Sequence, residues 1–428
     1  MTTGKSSLLV WVLAISTAVV VLLFFSSAIP PSSLFSTGGA FEKWSNEGSV
    51  IGELISLIDS VARRASWHHR SHHHHLPHHR HRRRIAAKCD DKKWKDMIDP
   101  NVKASLVLTV DQNGCANFSS VQAAVDAIPD NSPTRTLVLI DSGVYREKVT
   151  LRAEKTYAIF QGQGYLNTTI VWNDTAASAA GTFYSHSIAI LAPNFIAKNI
   201  SFQNDAPPPS QGMEDGQAVA LRIDGDQAAF YGCGFYGAQD TLLDLKGRHY
   251  FKECFIQGSI DFICGNGRSL YEDCSLHSIA MEPPPGSRLH TGAVTAHHRN
   301  SENEKTGFSF VNCSISGSGL TWLGRAWGPY ATVVFARTYM SSVVASDGWQ
   351  NFGDSSRERT VFYGEYECTG AGSNSALRVP YSKQLSRDEA AVFLDISYID
   401  GNDWLLSESS SSNPIIYHDQ NEELIQAL

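Results

Sequence analysis

Residues 230–274 read FYGCGFYGAQDTLLDLKGRHYFKECFIQGSIDFICGNGRSLYEDC. One unit recurs through this stretch: an aromatic residue, two intervening residues, then a cysteine. Its copies are Phe230/Cys233, Phe251/Cys254 and Tyr271/Cys274, with a later one at Phe310/Cys313. The first three cysteines are 21 and 20 residues apart. A β-rich unit of that length, repeated in register, predicts a solenoid with one coil per repeat. Strands of successive coils then stack in parallel, with equivalent residues about 4.8 Å apart. A β-sandwich with coincidental spacing is the alternative, and it gives no reason for three copies in register.

The repeat has a second layer. Cys233-x-x-x-Gly237-x-x-Asp240 is followed by Cys254-x-x-x-Gly258-x-x-Asp261, so each aspartate lies seven residues after its cysteine. Stacked coils place Asp240 and Asp261 on neighbouring rungs of one face. Two carboxylates that close cannot both ionise freely, so the pair is expected to titrate as a unit with one pKa raised. That division supplies one protonated acid and one carboxylate nucleophile. The bland reading makes both residues ordinary turn aspartates at solenoid corners.

Working outward, Leu106–Val110 reads as a strand. Residues 119–128 read as a helix, with Ser119 as N-cap, Gln122 three residues on and Pro129 ending it. From Leu137 to about Trp404 the chain consists of short β runs broken by Gly, Asn and Asp. In the other direction, Ile51, Leu54, Ile55 and Ile58 share one helical face. Residues 68–84 hold nine His and five Arg in seventeen positions and cannot pack a core, so they read as a solvated linker. Its histidines gain charge in acid and give it affinity for a polyanion, and Arg82-Arg83-Arg84 is a candidate processing site.

The apolar run Leu8–Ile29, preceded by Lys5, directs the chain into the secretory route. It is long for a signal peptide and long enough to span a membrane, while Ser26-Ser27-Ala28 suits cleavage, so signal peptide and anchor both stay open. Five N-x-[ST] sequons fit that route: Asn117, Asn167, Asn173, Asn199 and Asn312. Eight cysteines suit an oxidising compartment without being dense enough for a disulfide scaffold, and no CxxC pair offers a zinc-ribbon spacing. A formal charge of -8 and only 18% charged residues argue against a nucleic-acid partner. The expected organisation is residues 1–29 as signal or anchor, 30–97 as linker, 98–412 as catalytic domain and 413–428 as tail.

Around the two aspartates stand Gly237-Ala-Gln-Asp-Thr-Leu242 and Gly258-Ser-Ile-Asp-Phe-Ile-Cys-Gly-Asn266. Leu323-Gly-Arg-Ala-Trp-Gly328 lies downstream, and Gly216-Gln-Ala-Val-Ala-Leu-Arg222 and Gly143-Val-Tyr-Arg-Glu-Lys148 upstream. These five motifs, in this order, resemble the plant-type pectinesterases over roughly residues 104–405. The resemblance implies an all-β fold, a right-handed parallel β-helix with a short N-terminal helix. It implies removal of methyl esters from pectin, secretion to the cell wall and action as a monomer. An inhibitor protein is a further candidate partner. No metal or cofactor is expected. The stretch before the domain holds a single cysteine, Cys89, which does not fit a disulfide-linked helical pro-domain.

Residue by residue, the resemblance makes Asp261 the nucleophile and Asp240 the general acid/base. It makes Gln217 and Gln239 the oxyanion donors and Arg325 the partner of the nucleophile. Gln217, Arg325, Trp327 and Ser187 become substrate contacts. Cys264 stands where Phe is common in the family, and Ala326 where Pro is common. By spacing alone, Cys233–Cys254 and Cys254–Cys274 are equally available disulfides; the resemblance favours Cys254–Cys274. The ester chemistry is self-consistent: a carboxylate attacks, amides stabilise the oxyanion, and a carboxylic acid protonates the leaving methoxide. Two rival readings remain at this stage, a β-helical pectate lyase or polygalacturonase and a non-catalytic pectin-binding relative. Lyases need a calcium site of clustered acids, whereas only two acids occupy the repeated register here.

Overall fold

The computed structural model describes residues 89, 92–210, 213–287 and 289–405, with the backbone of 416–417. The apolar segment at 8–29, the helical face around 51–58, the His/Arg-rich linker and most of the tail lie outside these residues. Among the described residues, no helix is long and apolar enough to cross a membrane.

The strands form three parallel sheets of 12, 8 and 8 strands. We call them sheets I, II and III, after their first strands Leu106–Val110, Gly143–Arg146 and Val149–Leu151. Each coil gives one strand to each sheet in turn. One coil runs Arg248–Lys252, Phe255–Gly258, Ile263–Gly265, and the next Arg268–Glu272, Ser275–Ile279, Gly292–His297. The result is a right-handed parallel β-helix.

The corner between sheets I and II explains the aromatic-x-x-Cys spacing. In a continuous strand, residues three apart point to opposite faces. Here one residue between them takes a left-handed conformation: Gly232 (φ 58°), Glu253 (54°), Asp273 (54°) and Asn312 (55°). That corner re-phases the chain so that both ring and thiol point inward. The rings then stack as a column, with centroids 4.8 Å apart for Phe230–Phe251, 4.4 Å for Phe251–Tyr271 and 4.5 Å for Tyr271–Phe310. A polar network is built into the solenoid around Asp244. The Tyr271 hydroxyl donates to Asp244 at 2.6 Å, and His249 bridges Asp244 and the Gly225 carbonyl.

The thiols Cys233, Cys254, Cys274 and Cys313 form a parallel buried column and are free. The expected Cys254–Cys274 bridge is therefore corrected. In-register stacking holds the Cβ vectors parallel at the rung spacing of about 4.8 Å, beyond the roughly 3.5–4.5 Å that a disulfide requires. The disulfide instead joins Cys89 to Cys115. It ties down the helix Lys92–Met97, whose Trp94 Nε1 donates to the Cys115 carbonyl at 3.0 Å. Trp94, Val102, Ile399 and Trp404 belong to a second apolar cluster, with sheet I residues such as Leu137 and Leu270. A non-reducing peptide map is expected to give the Cys89–Cys115 crosslink alone; a Cys254–Cys274 crosslinked peptide would overturn the thiol column.

The helix near 119–128 spans Val121–Asp126, and its N-cap is Ser120 rather than Ser119. Glu147 reaches it from the Gly143–Lys148 motif. Its carboxylate accepts from the Val121 and Gln122 amides at 2.9 and 3.0 Å and from the Ser120 hydroxyl at 2.9 Å. That motif thus serves the helix start, where negative charge is favoured.

Candidate active site

Asp240 and Asp261 occupy equivalent corners between sheets II and III. Gln239 bridges Ile260, the Asp240 amide donates to the Ile260 carbonyl at 3.1 Å, and Leu242 pairs with Ile263. Both aspartates have left-handed backbones, φ 60° and 48°. That conformation is uncommon outside glycine and is tolerated best by Asn and Asp. It swings both carboxylates to the outer face of sheet III. The glycine three residues earlier is required at the second corner. A Cβ on Gly258 would lie 2.1 Å from Phe262 Cβ and 2.8 Å from the Ala238 carbonyl oxygen.

Register explains how Arg325 reaches the pair. Arg222, Leu243, Cys264, Ala296 and Arg325 are in one column across consecutive coils. Arg325 therefore stands two rungs beyond Asp261, and the small Ala296 between them lets its side chain fold back. Arg325 Nε donates to Asp261 Oδ1 at 2.8 Å, and Nη2 donates to Oδ2. Such a two-point clamp fixes both oxygens of the carboxylate. Burial works against the guanidinium charge, but Asp261 outweighs it and the Arg325 pKa rises.

Asp240 has the opposite environment. Enclosure raises its pKa well above the ordinary carboxylate value, the Asp261 charge adds to the rise, and Arg325 offsets part of it. One carboxylate is thus clamped by a cation, and its neighbour holds a proton more tightly than an ordinary carboxyl. This is the division that acid–nucleophile chemistry needs.

Gln217 and Gln239 lie on adjacent rungs, joined by the Ala218 amide donating to the Gln239 carbonyl at 3.0 Å. The Gln217 Oε1 is buried without a hydrogen-bond partner. Buried amide atoms are rarely left unpaired, and those that are call for an explanation such as a catalytic role. A half-turn of the amide would present its N–H groups at the same point. Trp327 packs over an apolar patch of Val219, Leu243, Cys264 and Ala296, separate from the main core. The His298 ring lies 4.2 Å away. Cys264 thus sits on the floor of the site, under the tryptophan.

Ser187 does not join them, which corrects its expected role as a substrate contact. It is fully buried; its hydroxyl donates to the Gln203 carbonyl at 2.7 Å and accepts from the Trp172 amide at 3.1 Å. The exposed member of that segment is Tyr184. Four sequon residues, Asn167, Asn173, Asn199 and Asn312, are exposed. Asn117 is half-buried, and its Oδ1 accepts from Thr109 Nand Oγ1. Among the described residues, no group of three or more His, Cys, Asp or Glu is arranged to hold a metal ion.

Two residues went unnoticed in the sequence. Phe352, with φ 60°, places its ring 4.8 Å from the Arg325 guanidinium and 5.5 Å from that of Arg357. Arg357 Nη1 donates to the carbonyls of Ala326 and Trp327, the latter at 2.8 Å. Together they brace Arg325, the last residue of the strand Thr321–Arg325, and the turn that follows it. Neither sits in the repeat, so no periodic signal marks them.

The family model "Pectinesterase" matches residues 107–402. Putative pectinesterase 14 of Arabidopsis thaliana is 55% identical over 306 residues, covering 72% of this chain and 90% of that protein. Probable pectinesterase 8 of Arabidopsis thaliana is 52% identical over 323 residues, covering 76% and 82%. Among solved structures, pectin methylesterase from carrot superposes with a TM-score of 0.65 at 33% identity, covering 72% of this chain and 98% of that one.

Proposed function

The chain belongs to the pectinesterase family and is an enzyme of that kind, and we propose that it removes methyl esters from the galacturonate units of pectin by covalent catalysis at Asp261. The observation that carries this reading is the contrast on adjacent rungs: Asp261 clamped by Arg325, and Asp240 enclosed with a raised pKa. The bound carboxyl ester would present its carbonyl carbon to an Asp261 oxygen. Attack forms a tetrahedral oxyanion, which the amides of Gln217 and Gln239 stabilise; one such donor is typically worth about 3 kcal/mol. The carbon–methoxy bond breaks, Asp240 gives its proton to the leaving oxygen, and methanol departs from an acyl–Asp261 anhydride.

Water then attacks the anhydride. Asp240, now a carboxylate, takes a proton from that water, and Asp261 leaves as a carboxylate that Arg325 recaptures. The products are methanol and a free galacturonate, and both aspartates return to their starting states. Arg325 aims the nucleophile, and Trp327 supplies a flat apolar wall for a sugar ring.

We place this activity in the cell wall, with residues 98–412 as the catalytic domain. The exposed sequons at Asn167, Asn173, Asn199 and Asn312 support a secreted, glycosylated chain. A proteinaceous inhibitor remains a candidate partner, and a monomer is sufficient for the chemistry described. The test is one assay on methyl-esterified pectin. Stoichiometric methanol release without chain cleavage is expected. Unsaturated or new reducing ends would point to a lyase or polygalacturonase, and binding without methanol to a non-catalytic relative.

A further inference from the structure

Sheet II differs from its neighbours in charge. Its seven consecutive strands from Thr168–Trp172 to Tyr339–Met340 contain no Asp, Glu, Lys or Arg. Strands of the same coils in sheets I and III carry Lys198, Lys252, Glu272, Arg222 and Arg325. Phe202, Phe235, Ile256, Leu276 and Ile315 fill the solenoid core from sheet II. Strand alternation turns their neighbours outward, so from Gln203 to Ser316 the outer face carries no charged strand residue for about 20 Å at the ~4.8 Å rung spacing; the exposed Arg146–Asp205 ion pair closes its N-terminal end.

That face is also aromatic. Tyr236 lies 5.4 Å from Phe255, Phe255 lies 5.8 Å from His277, and Tyr165 stacks on Phe255 at 6.4 Å. Gln203, Tyr236, Gln257 and His277 form one column, so amides alternate with rings. Gly234 has no side chain beneath them. A Cβ there would meet Tyr236 Cε2 at 2.7 Å and Tyr165 Cδ2 at 3.2 Å, so only glycine lets both rings lie flat on the sheet. The four rings are half-buried, and Ser275 and Ser316 beside them are exposed.

We propose that the outer face of sheet II is a second, non-catalytic binding strip for a neutral polysaccharide strand, namely methyl-esterified galacturonan. The identity of the polymer rests on the proposed function. The C–H faces of sugar rings are apolar and slightly positive, and pack on the negative faces of aromatic rings. The Gln amides and Ser hydroxyls match sugar hydroxyls. Free carboxylates find no unpaired cation along these rungs, since Arg146 at their end is already held by Asp205, and they lose hydration without compensation, so the strip selects the esterified polymer over the de-esterified product. Because this face is not the one that carries Asp240 and Asp261, one chain can engage polymer at two places. The second contact then adds avidity without entering the chemistry.

The test compares retention in gels containing highly methyl-esterified pectin or polygalacturonate at pH 7.5, in an Asp261→Asn background so that the polymer stays esterified. Tyr236→Ala/Phe255→Ala removes the rings. Ser275→Glu/Ser316→Glu adds charge at exposed positions outside the core, where Ser316 has only a 3.4 Å contact to the His277 ring, which guards against a folding defect in the first variant. Both pairs are expected to weaken retention on esterified pectin by about tenfold and to leave retention on polygalacturonate unchanged. In an otherwise unaltered enzyme, both should hydrolyse a short methyl-esterified oligogalacturonide within about twofold of the parent. Unchanged retention on esterified pectin overturns the strip, as does an equal loss on both polymers, or a shift in sedimentation showing that the face joins copies of the chain. Failure of the parent to release methanol would instead count against the catalytic reading and leave the retention result standing.

Discussion

Replacing Asp261 with asparagine is expected to lower methanol release by roughly 10⁴–10⁶-fold, the scale seen when a covalent nucleophile is removed. The amide is isosteric but has no anionic oxygen to attack an ester. The fold should survive. Asp261 sits at a corner where Asn is accepted equally well, since both residues tolerate a left-handed backbone such as its φ of 48°. The cost to stability falls on Arg325, whose two hydrogen bonds to the carboxylate become one to a neutral oxygen. A circular dichroism spectrum and thiol count like those of the parent, alongside lost turnover, would separate chemistry from unfolding. Residual activity above about a tenth of the parent's would mean that the acyl–Asp261 intermediate is not on the path.

Much of this site was legible because a solenoid writes its contacts into the sequence as a repeat. The equal seven-residue offset from Cys233 to Asp240 and from Cys254 to Asp261 could place the carboxylates side by side because each residue stacks on its equivalent one coil away. Arg325 obeys the same register but reaches back over Ala296, and no periodicity signals a side chain that spans two rungs. Only its motif singled it out. Phe352 and Arg357 come from a loop after the last sheet III strand, Trp349–Gln350. Their contacts depend on where that loop folds, which local sequence does not encode.

The misreadings have physical causes too. Ser187 belongs to a motif beside the site, but its hydroxyl is consumed in bonds to sheet II backbone, and burial overrode motif position. The Cys254–Cys274 pairing satisfied the Cα spacing of a disulfide and failed on side-chain direction, which spacing cannot express. The Cys89–Cys115 link joins a segment read as linker to the first coil. It follows from the docking of Trp94 against the Cys115 carbonyl rather than from any pattern. The neutral outer face of sheet II was present in the sequence as seven uncharged segments, yet it becomes a surface only once the three sheets are told apart.

Replacing Asp240 with asparagine is expected to cut turnover by about 10²–10⁴-fold, the usual contribution of a positioned general acid/base, while raising stability at neutral pH. The two effects share one cause. Enclosure, and then the Asp261 charge, raise the Asp240 pKa well above its unfolded value. Between the unfolded and folded values the native state therefore holds the proton more tightly. Stability then falls as pH rises from about 4 through the folded pKa, and is level above it. Asparagine never ionises, so the variant escapes that loss. Its melting temperature should match the parent's near pH 4 and exceed it increasingly as pH rises through the window. Activity runs the other way: the parent's first step needs protonated Asp240, so kcat should decline on the basic side as the carboxylate forms, and that limb should vanish from the variant's weak residual rate. A variant that melts below the parent at neutral pH, or that keeps the parent's basic limb, would show that Asp240 is neither the strained acid nor the proton donor.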